Sequence, residues 1–268
     1  MGSMVADRLA DHAARIPLLR GLLSRAYRHA FNRARGRVRL FYGLYPDFAS
    51  AIREVPPYWI QGYDNEQTAD RNAHERLQIC AFDYPIMFWL QRLLPECRLL
   101  FDFGGNVGIS YFGYRKYLQY PASLTWLIYE VPAVAALGAR IAAEEGAHQL
   151  RFTTELDELQ RADILLAAGS LHFVDKPFEL LRSVATPPRH VLLNKVPLRD
   201  RPAAVTLHNM GTALCPYHLF NRSEFLGSFR SLGYELVDEW ETPDLGARIP
   251  LHPEDSIRAY TGFYLRKA

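Results

Sequence analysis

The chain has 268 residues, of which 49% are hydrophobic and 22% are charged, and its formal net charge is +2. This composition is typical of a globular protein with a sizeable core and excludes a disordered chain. The nearly neutral charge gives no strong bias toward nucleic acid or an anionic membrane surface, so neither is predicted as a partner.

The first 95 residues predict a helical cap. Apolar residues that cover one broad face indicate helix over 5–35, and a second such pattern indicates a long helix over 70–94. Turn residues and aromatic rings fill 46–72, which predicts a structured loop rather than strands. We expect residues 1–95 to act as a lid over the rest of the chain, as a homodimer surface or as both.

Residues 96–268 predict an α/β domain, because apolar strands alternate with helices. Strands are predicted over 99–103, 124–131, 150–154, 162–168, 190–196, 234–241 and 256–266. Helices are predicted over 107–117, 133–145, 177–183 and 223–232. No helix separates the last two strands, so we expect them to form an antiparallel pair at the edge of the sheet.

The three cysteines, Cys80, Cys97 and Cys215, lie far apart and form no Cys-x-x-Cys pair. This spacing predicts neither a zinc cluster nor a disulfide framework. Free thiols are typical of a reducing compartment, and no apolar run reaches the roughly 20 residues that a membrane helix needs. We therefore expect a cytoplasmic protein that binds no metal and does not contact a membrane.

The strongest local motif is a turn, Asp102-Phe103-Gly104-Gly105-Asn106-Val107-Gly108, between the first predicted strand and its helix. Small residues let the backbone approach a ligand, and the helix that follows presents free N–H groups. The motif differs from the dinucleotide fingerprint because Asn106 and Ile109 stand where glycines are required, and no Gly-Lys-Ser/Thr follows it.

Two acids favour a different cofactor. Asp102, two residues before the glycines, suits a cofactor with a cationic amino-acid part and would repel a pyrophosphate. Glu130 ends the second predicted strand, 22 residues after Gly108, where an acid can accept both hydroxyls of a ribose. In a glycine-rich turn that follows such an acid, a third glycine is usual where this chain has Asn106. The backbone conformation of Asn106 therefore decides the shape of the turn.

Eight stretches carry a resemblance to a known family: "GYDN", "DFGGNVGISYFGYRKYL", "WLIYEVPAV", "ADILLAAGSLHFV", "NKVPL", "LHNMGTALCPYHLFNR", "LGYELVDEW" and "GFYL". Over about residues 58–264 the chain resembles class I methyltransferases that use S-adenosylmethionine (SAM), and among them a bacterial family that includes azetidine-2-carboxylate synthases. The resemblance implies a Rossmann-like fold with a seven-stranded, mostly parallel sheet whose last strand is antiparallel, and SAM at the first turn. The predicted cofactor-binding residues are Asp102, Gly104, Gly105, Asn106, Gly108, Glu130, Val131, Thr154, Gly169 and Ser170.

The resemblance leaves two reactions open. Azetidine-2-carboxylate synthases close the methionyl part of SAM into a four-membered ring and release 5'-methylthioadenosine, whereas a methyltransferase passes the methyl group to an acceptor, here a small molecule of specialised metabolism. Both reactions displace a leaving group at carbon beside a sulfonium, so positioning and electrostatics should dominate catalysis. A non-catalytic binding module that uses the Arg-rich N-terminus is the third and least supported alternative.

Aromatic and polar side chains near the expected site are the candidates for catalysis. Aromatic faces attract a sulfonium by about 0.5–2 kcal/mol each, although the same rings could equally pack the cap against the sheet. His172 follows the fourth strand and could accept a proton, or be a structural histidine. Residues 206–222 are expected to form a loop over the cofactor pocket. The predicted catalytic residues are Trp59, Tyr63, His172, Asn209 and Tyr217.

Overall fold

The computed structural model describes residues 17–36, 40–62 and 78–268. The helices of these ranges are α1 Pro17–Arg33, α2 Phe48–Arg53, α3 Tyr84–Leu93, α4 Ile109–Tyr114, α5 Pro132–Glu144, α6 Pro177–Ser183 and α7 Arg222–Ser231. The strands are β1 Leu40–Tyr45, β2 Ile60–Gln61, β3 Leu99–Phe103, β4 Thr125–Tyr129, β5 Leu150–Thr153, β6 Ile164–Ala168, β7 His190–Val196, β8 Leu198–Arg199, β9 Ala204–Asn209, β10 Ala213–Asn221, β11 Tyr234–Thr242 and β12 Tyr260–Lys267.

The larger sheet has seven strands in the order β11-β12-β7-β6-β3-β4-β5. Strands β7, β6, β3, β4 and β5 are parallel, whereas β12 is antiparallel to both β7 and β11. The strand order reverses at β3, so the turn after β3 lies at the switch point where α/β sheets bind ligands. This is a Rossmann-like class I methyltransferase fold, which confirms the fold that the resemblance implies.

The central strands are buried on both faces, which explains their continuous apolar sequences. On β3, Leu100 and Phe101 point to opposite faces, since successive side chains alternate. Leu100 packs into one buried cluster together with Leu166 of β6, and Phe101 packs into the other together with Leu165. Strand periodicity was therefore sufficient to locate these elements, and the predicted bounds of β3, β7 and α6 agree with the structure.

A second sheet has the order β1-β9-β10-β2, with β8 also paired to β10. Strands β9 and β10 are antiparallel and pair from Leu214 with Asn209 to Leu219 with Ala204. The prediction that residues 206–222 form a loop over the cofactor pocket is therefore wrong. Gly211, at φ 88, turns the chain between these strands, so an apparently irregular stretch is a hairpin.

Pro216 explains why this hairpin was hard to predict. A proline has no N–H to donate and normally argues against an inner strand. It lies between the places where β10 pairs with β2, at Ala213 and Leu214, and with β8, at Phe220 and Asn221. Over the intervening residues β9 is the only partner of β10 among the described strands, so Pro216 sits on what is locally an edge.

Three predictions for the N-terminal region differ from the structure. No element was predicted over β1, whose sequence is interrupted by Gly43 at φ 73. The predicted loop over 46–72 contains α2, which Asp47 caps by accepting a hydrogen bond from the Ser50 N–H at 2.6 Å. The predicted long helix over 70–94 is broken at residues 78–80, which are irregular, and α3 begins at Tyr84 with Pro85 in its first turn, where the missing N–H is harmless. The part of this prediction over 70–77 lies outside the described residues.

The boundary at residue 95 between a cap and an α/β domain stays a prediction. The second sheet takes β1 and β2 from one side of that boundary and β8, β9 and β10 from the other. None of the helices in the described parts of the chain is long and apolar enough to cross a membrane.

Candidate functional site

A cavity of about 310 Å³ lies at the carboxyl ends of β3, β6 and β7. Its floor is the turn after β3, with Asp102 and residues 104–106, and Lys195 at the end of β7 forms part of its wall. Residues 78–83, from the chain before α3, close the opposite wall with Phe82 and Asp83. The cavity therefore brings together the predicted cofactor turn and side chains that come from distant parts of the sequence.

Left-handed backbone shapes the turn. Gly104, Asn106 and Gly108 have φ of 69, 55 and 97, a region that glycine enters freely and that asparagine tolerates better than other residues. The Asn106 side-chain oxygen also accepts a hydrogen bond from the Val107 N–H at 2.7 Å. Asn106 thus adopts the backbone that a third glycine would supply, which answers the question raised by its presence in the motif.

Glu130 braces this turn. One carboxylate oxygen accepts from the Asn106 N–H at 3.0 Å, and the other accepts from the Val131 N–H at 3.0 Å. The side chain is buried and does not line the cavity among the described residues. The contact of Glu130 with a ribose stays a prediction. The two hydrogen bonds show that Glu130 helps to fix the shape of the turn.

Asp102 is the buried acid of the cavity, with 1% of its surface exposed. Its Oδ2 accepts a hydrogen bond from the Trp126 indole N–H at 3.0 Å, while Oδ1 has no hydrogen-bond partner among the residues described. Burial raises the pKa of Asp102 to about 7, against the lowering effects of the Trp126 hydrogen bond and the positive charge of Lys195. Asp102 can therefore exchange a proton near neutral pH.

Asp83 and Tyr114 form a polar pair that the sequence analysis missed. The Tyr114 hydroxyl donates to Asp83 Oδ1 at 3.0 Å, and Asp83 Oδ2 accepts from the Cys80 N–H at 2.9 Å. Burial, and then the charge of Asp83, raise the pKa of Tyr114 well above its usual value, so this hydroxyl stays protonated. The pair joins the chain before α3 to α4, directly after the cofactor turn, and no local pattern indicates it.

Lys195 is the third residue that was missed. It has a left-handed φ of 58, and β7 is irregularly paired with β12 at this point. Its Nζ lies 5.1 Å from the centre of the Phe82 ring. The stretch "NKVPL" belongs to the resemblance, and a lysine at the carboxyl end of a parallel strand was the signal in it that could have been followed.

Gly169 and Ser170 follow β6, and neither is on the described lining of the cavity, so their contact with a cofactor stays a prediction. The Ser170 hydroxyl donates to the Phe103 carbonyl, which ties the end of β6 to the end of β3. Thr154 is exposed and donates to Glu155 at 3.2 Å, and Val131 packs against the core at the start of α5. Neither of these two lines the cavity among the described residues, and their contact with a cofactor stays a prediction.

His172 and Tyr217 lie together in a buried aromatic cluster, with their ring centres 4.2 Å apart. The Tyr217 hydroxyl donates to the Tyr260 hydroxyl at 2.8 Å. Burial, followed by the nearby His208 and Lys195, holds the pKa of His172 well below its usual range, so the ring is neutral. Neither residue is on the described lining of the cavity, and their catalytic roles stay predictions.

Asn209 of β9 and Trp59, just before β2, both bond to the carboxyl-terminal end of α1. Asn209 donates to the Ala34 carbonyl at 3.1 Å and accepts from the Gly211 N–H at 2.7 Å. The Trp59 indole donates to the Asn32 carbonyl at 2.8 Å, and the Arg35 guanidinium lies 5.1 Å from its ring centre. These contacts favour packing over catalysis for both. Tyr63, the remaining predicted catalytic residue, lies outside the described residues.

A Trp59→Phe variant separates packing from catalysis. It removes the hydrogen bond to Asn32 and part of a buried ring, so we expect the free energy of unfolding to fall by about 1–2 kcal/mol. Turnover per folded molecule should stay within about twofold of wild type, because the ring is not on the described lining of the cavity. Urea unfolding followed by fluorescence, and product formation by mass spectrometry, measure the two quantities. A tenfold loss of turnover at unchanged stability would instead support a catalytic Trp59.

Comparison with known proteins supports the fold. No protein-family model matches the chain, and no curated protein matches it. The solved structure of the CcbJ methyltransferase from Streptomyces caelestis is similar with a TM-score of 0.51 and 14% identity, covering 77% of this chain and 98% of that one. At this identity the similarity indicates a shared class I methyltransferase fold and nothing finer.

Two further structures are similar at lower TM-scores. The 1,6-didemethyltoxoflavin-N1-methyltransferase of Burkholderia thailandensis, solved with bound 1,6-didemethyltoxoflavin and S-adenosylhomocysteine, has a TM-score of 0.48 and 19% identity, covering 75% of this chain and 85% of that one. The [4+2]-cyclase SpnF has a TM-score of 0.47 and 12% identity, covering 68% and 80%.

Proposed function

We propose that this chain is a SAM-dependent enzyme that converts SAM into azetidine-2-carboxylate and 5'-methylthioadenosine. The observation that carries the proposal is the buried Asp102 Oδ1, which has no hydrogen-bond partner among the described residues and belongs to the cavity at the switch point of the sheet. An orphaned buried acceptor costs free energy unless a ligand donates to it. The ammonium of an α-amino acid is such a donor.

The backbone around Asp102 fits a ligand held closely. A Cβ atom on Gly105 would lie 2.5 Å from the Asp102 Cγ, and one on Gly104 would lie 2.4 Å from the Ser170 Cβ. Only glycine at 105 leaves the Asp102 carboxylate in place, and only glycine at 104 leaves Ser170 in place. The cavity of about 310 Å³ thus presents a carboxylate, bare backbone and the Lys195 side chain to a small polar ligand.

The proton-exchange properties of Asp102 favour ring closure. A protonated amine cannot attack carbon, because its electron pair is occupied. Asp102, with a pKa of about 7, can remove one proton from the α-ammonium of SAM, whose ordinary pKa as an α-amino group is about 7.7–8.0. The nitrogen then bonds to its own γ-carbon, and the carbon–sulfur bond breaks with its electron pair leaving on the sulfur of methylthioadenosine.

Incubation of the purified protein with SAM alone tests this proposal. Mass spectrometry should find methylthioadenosine and azetidine-2-carboxylate in equal amounts, with no acceptor added. An Asp157→Asn variant changes an exposed acid that is not on the described cavity lining, and it is the matched control for an Asp102→Asn variant. The Asp157→Asn variant should form both products at the wild-type rate. Intact SAM after prolonged incubation with folded protein would contradict the proposal.

The pH dependence of turnover gives a second test. Asp102 accepts a proton only when ionised, and its pKa of about 7 is that of the ligand-free protein, so kcat/KM for SAM should rise about tenfold per pH unit below pH 7 and stop rising above it. Methylthioadenosine formation between pH 5.5 and 9 measures the profile. A flat profile across this range would show that proton removal by Asp102 does not limit the reaction.

Methyl transfer to a small molecule is the second candidate, favoured by the fold that the chain shares with the CcbJ methyltransferase. In that case the α-ammonium stays protonated, and Asp102 binds it without removing a proton. S-adenosylhomocysteine would then form only after an acceptor is added, and methylthioadenosine would not form. The incubation with SAM alone therefore separates the two candidates.

We propose a cytoplasmic enzyme that acts on a small molecule, with neither nucleic acid nor a membrane as a partner. Three free cysteines in the described residues, of which Cys97 and Cys215 are buried and Cys80 is exposed, support a reducing compartment. A homodimer formed through the N-terminal region remains part of this proposal, and light scattering of the purified protein tests it.

A further inference from the structure

Lys195 occupies an unusual backbone position. It follows the buried Asn194 at the end of β7, where pairing with β12 is interrupted between Thr261 and Phe263. Its φ of 58 is in the left-handed region, which a lysine adopts only where surrounding contacts impose it. The Asn194 side-chain oxygen supplies one such contact by accepting from the Lys195 N–H at 3.0 Å. The irregularity redirects the lysine side chain relative to a regular strand.

Neighbouring residues guide that side chain into the cavity. A Cβ atom on Gly169 would lie 2.9 Å from the Lys195 Cε, so the chain passes directly over bare backbone at the end of β6. The Nζ lies 5.1 Å from the centre of the Phe82 ring, which attracts its positive charge. The Asn194 amide donates to the Phe82 carbonyl at 2.8 Å and so joins β7 to the chain that carries this ring.

The ammonium of Lys195 and the carboxylate of Asp102 therefore border one cavity from two strands, with β6 between them. They are close enough for the positive charge to lower the pKa of Asp102. One positive and one negative group, each bordering the same small cavity, complement a ligand with adjacent carboxylate and ammonium groups. That pair of groups is the α-amino-acid end of a small molecule.

We propose that Lys195 binds the carboxylate of the substrate's α-amino-acid group while Asp102 binds its ammonium. The inference rests on the proposed function, because it identifies that group as the methionyl end of SAM. Because Lys195 binds the carboxylate, it is the residue that distinguishes SAM from decarboxylated analogues. By fixing the carboxylate, Lys195 also orients the amine, which is attached to the same carbon, toward Asp102.

The test compares S-adenosylhomocysteine with its decarboxylated form by calorimetry, since neither carries a sulfonium and neither is consumed. Wild type should bind S-adenosylhomocysteine about 10- to 100-fold more tightly, the usual range for a charge-assisted hydrogen bond. Lys195→Met should lose this preference because it binds S-adenosylhomocysteine more weakly while its affinity for the decarboxylated form is unchanged. Lys195→Arg should keep most of the preference. Lys176→Met removes an exposed lysine paired with Glu179 and should leave both affinities unchanged.

Binding of 5'-methylthioadenosine, which lacks the amino-acid end, shows whether the Lys195→Met variant is folded. Its affinity should equal that of wild type. If Lys195→Met loses the same factor in affinity for S-adenosylhomocysteine and for its decarboxylated form, the proposed role of Lys195 is overturned, while the proposed function still stands. Failure of wild type to bind S-adenosylhomocysteine or SAM at all would instead contradict the proposed function itself.

Discussion

An Asp102→Asn variant is expected to lose at least about 100-fold of its turnover and yet to resist urea better than wild type at pH 8. The loss follows because an amide neither removes a proton from an ammonium nor carries the charge that attracts it. The gain in stability follows because wild type must bury an ionised carboxylate with one oxygen that lacks a hydrogen-bond partner among the described residues.

The pH dependence of this gain has a definite sign. Folding raises the pKa of Asp102 from 3.8 to about 7, so the folded protein holds a proton that the unfolded chain releases between these values. Wild type therefore carries no penalty below pH 3.8, loses stability as the pH rises toward 7, and stays at the lower level above it. The advantage of Asp102→Asn should be absent near pH 4 and full at pH 8.

The size of this gain in stability follows from the difference between the pKa of Asp102 in the folded protein and in the unfolded chain. The difference between 3.8 and about 7 corresponds to roughly 4 kcal/mol. The asparagine leaves a buried N–H in need of an acceptor, which costs about 1–3 kcal/mol, so we expect a net gain of about 1–3 kcal/mol at pH 8. Urea unfolding at pH 4 and pH 8 measures it. Retention of turnover, or a gain that is the same at both pH values, would contradict this account of Asp102.

A Gly104→Ala variant is expected to be destabilised by about 3 kcal/mol and to bind S-adenosylhomocysteine at least about 100-fold more weakly. Gly104 has φ of 69, and the added Cβ would lie 2.4 Å from the Ser170 Cβ. Strain and collision therefore add together. The collision is relieved only if the ends of β3 and β6 separate. This movement displaces the backbone that forms the floor of the cavity.

Gly146→Ala is the matched control for this variant. Gly146 also has a left-handed φ, 61, but an added Cβ there meets nothing within 4 Å. It should cost about 1–2 kcal/mol from strain alone and leave ligand binding unchanged. Urea unfolding and calorimetry on both variants isolate the collision. Equal effects of the two substitutions would show that contact between Gly104 and Ser170 does not shape the site.

The residues missed by the sequence analysis share one property: they act through partners far away along the chain. Asp83 meets Tyr114, and Lys195 borders the same cavity as Asp102, although short-range spacing relates none of them. Conversely, Trp59 and Tyr217 were predicted to be catalytic because they lie in stretches that show neither helix nor strand periodicity. In the structure they pack in buried clusters, since a large ring gains more from burial than from exposure.

By itself, the sequence determined the α/β class, most elements after residue 96 and the glycine-rich turn after β3, because strand periodicity and turn chemistry are local properties of the chain. Only the tertiary structure decided the second sheet, because β1 pairs with β9, which is far away along the chain, and because Pro216 argues against a strand over β10. It also decided the electrostatics of the cavity. The proton affinity of Asp102 depends on its burial, on Trp126 and on Lys195, and only folding brings these three influences to one carboxylate.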